Sequence, residues 1–192
     1  WFDFKNTLNS ENYSFDMNTS SIGSINFSSL RGVAYNGEFF ALGETDNKNI
    51  YIWKGIPGLN DEPDYIIQNP VGVGRIDMND EWLVVSAYPG AGSPVHVINL
   101  TNLDSGIMLP VPGNDDFPQG VSINEKGFFI ALQGSNKVVG WSSVQDALNG
   151  SSPTMSFGGT TNKTNSGTKM ASTVHWDGFH LWVGEFKFSN RL

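Results

Sequence analysis

Short apolar and aromatic runs alternate along the chain with clusters of Asn, Asp, Gly and Ser, and no long segment carries the apolar spacing of an amphipathic helix. The pattern is clearest at residues 33–44, Val-Ala-Tyr-Asn-Gly-Glu-Phe-Phe-Ala-Leu-Gly-Glu. Apolar residues flank Asn36-Gly37, a dipeptide that reaches positive φ at both centres of a type I′ turn, so the stretch predicts strand, turn, strand. The pattern returns at residues 76–87 around Asn79-Asp80, at residues 121–134, and without gaps at residues 174–185 around Asp177-Gly178. In the third copy two extra turn residues are expected before the match resumes at Gly127. Each of the first three copies leads to a further strand: Ile50-Tyr51-Ile52-Trp53, Val95-His96-Val97-Ile98 and Val138-Val139-Gly140-Trp141. The first and third then reach a fourth strand, Asp64-Tyr65-Ile66-Ile67 and Thr154-Met155-Ser156-Phe157-Gly158.

The copies begin at Val33, Ile76, Val121 and Val174, giving periods of 43, 45 and 53 residues. Such periods are those of single propeller blades. The fold expected is therefore all-β, a β-propeller of four-stranded antiparallel blades in one domain spanning residues 1–192. Residues 29–69, 70–116 and 117–169 form three complete blades. A fourth is split, with its inner strands in residues 170–192 and its outer strands in residues 1–28, where Trp1-Phe2-Asp3-Phe4 aligns with residues 50–53. An unpaired sheet edge recruits strands, so the split blade is completed by the N-terminal strands of the same chain or of a second copy. The first closes a four-bladed ring and the second makes a homodimeric ring. The start at Trp1 without an initiator Met, and the stop in mid-motif, predict a piece of a larger propeller.

Trp53 and Trp141 each end a strand ahead of a loop containing Pro and Gly, followed by an outer strand. In these features, and over nearly its whole length, the chain resembles the NHL-repeat β-propellers. The resemblance implies a non-enzymatic scaffold that binds a protein or a small molecule, with the ligand left open because propellers host many activities. An alternative, implied by some six-bladed relatives, is a metal-dependent hydrolase or lyase with its site at the mouth of the channel. Such enzymes place acidic or His ligands on several blades around one ion. The corresponding positions here are Arg31, Arg75, Gln119 and Ser172.

Composition narrows the partners. The 192 residues are 39% hydrophobic and 16% charged, ordinary for a globular chain. A net charge of −8 disfavours a phosphate backbone, so no nucleic-acid partner is expected. No apolar run is long enough for a membrane span. There is no Cys, and hence no disulfide framework or thiolate chemistry. Asn-x-Ser/Thr triplets begin at Asn12, Asn18, Asn26, Asn99, Asn149 and Asn162, in keeping with the extracytoplasmic or secreted location expected here.

Candidate chemistry follows from the blade pattern. The residues just before each inner strand open onto the usual ligand face of a propeller. Arg31, Arg75 and Gln119 are placed there, and the far end of the next strand carries Glu44 and Glu185. Arg31 and Arg75 suit an anionic or carbonyl-bearing ligand, with the two glutamates as partners or metal ligands; ion pairing between blades is the competing use. His175 and His180 flank Asp177-Gly178, and a two-residue hairpin would make them a cross-strand pair on one face, a weak candidate for a metal. His96 stands alone and reads as structural. A divalent metal such as calcium is the one cofactor considered, through oxygens in residues 44–49 and 114–116. Phe39, Phe40, Trp82, Phe128, Phe129 and Trp182 fall on repeated strand positions and are expected in the core. No catalytic nucleophile with its partners is present, nor a phosphate-binding glycine loop leading into a helix.

Overall fold

The computed structural model describes residues 20–88, 94–103, 106–111, 117–158 and 171–185. A small hairpin, β1 (Ser21–Ile22) and β2 (Ile25–Asn26), precedes the blades. Blade one is the antiparallel sheet β3 (Leu30–Tyr35), β4 (Phe39–Glu44), β5 (Asn49–Lys54) and β6 (Tyr65–Gln68). Blade two is β7 (Ile76–Met78), β8 (Trp82–Val85), β9 (Val95–Asn99) and β10 (Gly106–Leu109). Blade three is β11 (Pro118–Asn124), β12 (Gly127–Leu132), β13 (Lys137–Trp141) and β14 (Met155–Gly158), with the short helix α1 (Val144–Leu148) in its outer loop. The fourth unit is the hairpin β15 (Ala171–Trp176) and β16 (Leu181–Glu185). All-β architecture and a blade-by-blade repeat are thus both present. Of the outer strands expected in residues 1–28, the one at residues 1–4 lies outside the described residues.

The turns differ from the type I′ expectation. Asn36 N–H donates to the Phe39 carbonyl at 3.3 Å, while the Asn36 side-chain oxygen accepts from Glu38 N–H at 3.0 Å and Phe39 N–H at 2.7 Å. Asn79 does the same for Glu81 and Trp82, and Asp177 for Phe179 and His180. Because the side chain supplies the acceptor, only one turn residue in the first and fourth hairpins needs positive φ, Gly37 at 101° and Gly178 at 93°. Asn124 accepts from Lys126 N–H at 2.8 Å and stands at the Asn36 position. Pairs such as Val121↔Ile130 and Ile123↔Phe128 reproduce Val33↔Leu42 and Tyr35↔Phe40. The third copy therefore has no inserted residues, contrary to the expectation.

Packing between blades follows one rule. One face of each inner pair, called here the leading face, meets the opposite, trailing face of the next blade. Ala34, Phe39 and Ala41 of blade one pack with Ile76 and Met78 of blade two. Trp82 and Val84 of blade two pack with Val121 and Ile123 of blade three, and Phe129 and Ala131 of blade three with Val174 and Trp176. The core thus lies between sheets, with no blade owning one of its own. Gly43 lies on a leading face, where an added Cβ would strike Val73 of the next blade.

The two ends of this series are different. On the trailing face of blade one, Phe40, Leu42, Tyr51 and Trp53 are covered by Ile22, Ile25 and Phe27 of the N-terminal segment. Val33 and Tyr35 on β3 remain 61% and 48% exposed, whereas their counterparts Ile76 and Met78 are buried. On the leading face of the fourth hairpin, Trp182 is 55% exposed. This corrects the expectation that Trp182 is core: its sheet position is the repeated one, but no following blade covers it among the described residues.

Candidate site at the channel mouth

In blades one and three and in the fourth hairpin, the register shifts by one residue near the start of the inner strand. The shifts fall between Leu30 and Gly32, Pro118 and Gly120, and Ala171 and Thr173. Arg31, Gln119 and Ser172 are the extra residues. Bulges of this kind re-aim a side chain out of the pleat. Arg75 arrives differently, at the position equivalent to Gly32, with its N–H donating to the Ser86 hydroxyl oxygen at 2.7 Å. The Ser86 hydroxyl lies 3.0 Å from the Gln119 carbonyl, which it can donate to, so blades two and three are joined at this point.

Arg31, Arg75 and Gln119, from three successive blades, line one cavity of about 280 Å³. Ser29, Gly74 and Tyr88 complete most of its wall. The Arg31 guanidinium sits 3.7 Å over the Tyr88 ring, and Arg75 Nη1 donates to the Arg31 carbonyl at 3.4 Å. The interblade contact of these two arginines is therefore a hydrogen bond and a cation on an aromatic face. Neither guanidinium forms an ion pair among the described residues. The described lining contains two cations and no carboxylate, a composition suited to an anionic group. Tyr88 was not anticipated from the sequence; its signal is an aromatic residue one step beyond Ala87, the end of the repeated hairpin.

Glu44 does not join this cavity. It is fully buried, where its Oε1 accepts from the Ser28 N–H at 2.7 Å and the Ser28 hydroxyl at 2.9 Å. Its Oε2 accepts from Asn47 Nδ2 at 3.0 Å and the Tyr51 hydroxyl at 3.1 Å. Burial pushes its pKa up, but these bonds outweigh that effect and hold it below the usual glutamate value. Its oxygens are occupied in tying the N-terminal segment to β4 and β5. Glu185 occupies the same register opposite Ala171 and does not line the cavity either. Ser172 instead accepts from Gln133 Nε2 at 2.7 Å.

The expected His175–His180 pair is absent. His175 lies opposite Trp182, and His180 belongs to the turn, with Nδ1 at 3.3 Å from Asp177 Oδ2. The Asp177 turn is four residues long between paired positions, not two, and this moves His180 out of register. No group of three or more His, Asp or Glu suited to a metal occurs among the described residues. Of the two oxygen-rich loops considered for calcium, residues 114–116 lie outside the described residues. In the other, Glu44 and Asp46 accept from Ser28 and Asn47.

A larger groove of about 670 Å³ runs between β6 and the outer strands of blade two, lined in part by Tyr65, Ile67, His96 and Met108. His96 is buried, which pushes its pKa below the usual histidine value. Its Nδ1 has no hydrogen-bond partner among the described residues.

No helix among the described residues is long and apolar enough to cross a membrane. No family model matches the chain, and no curated protein matches it in sequence. Its fold is similar to that of the computationally designed Ika4 protein, with a TM-score of 0.58 at 11% identity, covering 88% of this chain and 92% of that one. It is also similar to the designed Ika8 protein, with a TM-score of 0.59 at 10% identity, covering 86% of this chain and 46% of that one. A third likeness is to the β-propeller domain of Myceliophteria thermophila Cps50 (Swd1), with a TM-score of 0.58 at 11% identity, covering 82% of this chain and 49% of that one. The chain thus spans about half the length of the last two, and with them and Ika4 it shares the β-propeller architecture.

Proposed function

We propose that the protein is a non-enzymatic binding scaffold whose channel mouth receives an anionic group, such as a carboxylate of a protein or small-molecule ligand. The observation that carries this reading is the convergence of Arg31, Arg75 and Gln119 on one cavity with no carboxylate in its described lining. Two guanidiniums without ion-pair partners among the described residues are an electrostatic cost in a bare protein, and an anion offsets it. Tyr88 fixes the plane of Arg31, which lowers the entropy lost when the ligand docks.

Malonate serves as a probe, followed by two-dimensional NMR or calorimetry. Saturable binding is expected, weakened at least tenfold in the Arg31→Gln, Arg75→Gln double variant and weakened by salt. Binding that is unchanged in the double variant would refute the reading. The alternative of a metal-dependent hydrolase or lyase at the same mouth requires acidic or His ligands from several blades, and the described lining supplies none. Recovery of a near-stoichiometric divalent ion with the purified protein would favour it.

A further inference from the structure

Among the described residues, the interblade rule leaves two surfaces open in whole or in part. The trailing face of blade one, beside the part that Ile22, Ile25 and Phe27 cover, presents Val33 and Tyr35, and the leading face of the fourth hairpin presents Trp182. These are the two complementary halves of the interface that is filled three times within the chain. We propose that the occupant of each is a second copy of this chain, so that two copies pack the fourth hairpin of one against blade one of the other, twice, in a closed two-fold ring.

Two observations support this occupant. First, the free leading face holds a shallow concavity of about 170 Å³ lined by Thr173, His175, Trp182 and Gly184, where the trailing-face side chains of a following blade would seat. Thr173 stands where blades one and three have Gly32 and Gly120, but blade two carries Arg75 there and still packs on blade three, so the position accepts a side chain. Second, a hydrogen bond recurs across two of the three filled interfaces. Ile123 N–H donates to Asp77 Oδ2 at 2.9 Å, and Trp176 N–H to Ser122 Oγ at 3.0 Å. Asp77, Ser122 and His175 hold equivalent positions, as do Ile123, Trp176 and Tyr35. His175 of one copy is thereby placed to accept from the Tyr35 backbone N–H of the next.

The two faces differ, so the contact is head to tail, and the ring closes only if both seams form. Light scattering of the full chain is expected to give twice the 21.0 kDa chain mass. Val33→Glu and Trp182→Glu, both at exposed positions, are each expected to lower the mass to that of one chain with the circular dichroism of the wild type retained. Mixing the two variants restores one intact seam, between Val33 of the Trp182→Glu chain and Trp182 of the Val33→Glu chain, so dimers reappear in the mixture alone. A monomeric wild type, an open-ended series of larger species, or dimers indifferent to both substitutions would overturn the proposal.

Discussion

Two carboxylates show how burial and hydrogen bonding compete at single residues. Glu44 is buried with four donors, and its pKa lies below the ordinary value. Its folded-state pKa is depressed, so its stabilisation is present above the unfolded value and is lost as pH falls through the folded one. Glu44→Ala removes the acceptors of Ser28, Asn47 and Tyr51 and should cost about 2 kcal/mol or more in urea denaturation at neutral pH. Asp77 behaves oppositely. Burial dominates and raises its pKa, despite bonds from the Ile123 and Met78 amides and from Ser122. The native state then binds the proton more tightly than the unfolded chain, so stability falls as pH rises from the ordinary aspartate value through the raised one. Asp77→Asn keeps an acceptor for Ile123 N–H without the charge. Its stability relative to wild type should rise across that window and level off above it, as measured by denaturation at a series of pH values. These environments explain what the sequence concealed. Arg31 and Gln119 were legible because each stands two residues ahead of the repeated motif, although both lie within β3 and β11 as bulge residues and not before them. Glu44 was placed at the mouth on strand position alone, since nothing in a linear pattern reveals that Ser28 and Tyr51 claim its oxygens.

At the scale of the element, the repeated unit is set by a side chain as much as by alternation. Asn36, Asn79, Asn124 and Asp177 recur at the same point of each hairpin and accept turn amides. Asn79→Ala strips the acceptor from the Glu81 and Trp82 amides and should destabilise by about 1–2 kcal/mol, whereas Asn79→Asp should be tolerated because Asp177 performs the same role. Thermal denaturation of the pair checks this contrast. Hairpin positions were legible from the polar pair amid apolar residues. The register was not, because Asn-Gly also fits a turn made by backbone groups alone. That one ambiguity produced both the false insertion before Gly127 and the false pairing of His175 with His180.

For the whole molecule, each inner blade draws stability from two neighbours and each end from one, as in a linear array of repeats. Blade two packs on both sides through Ile76 and Met78 on one face and Trp82 and Val84 on the other. β15 and β16 have blade three on one side only, among the described residues. Local opening should therefore begin at β15 and β16, and the amides of β8 and β12 should exchange last. Hydrogen exchange by mass spectrometry at two protein concentrations separates the possible causes of any protection at the ends. If a second copy covers them, protection of β3, β15 and β16 rises with concentration while that of β8 and β12 does not. If protection at the ends is high and independent of concentration, the same chain covers them. Equal exchange along all blades would mean that the interblade cores open as one unit, and the linear description would fail.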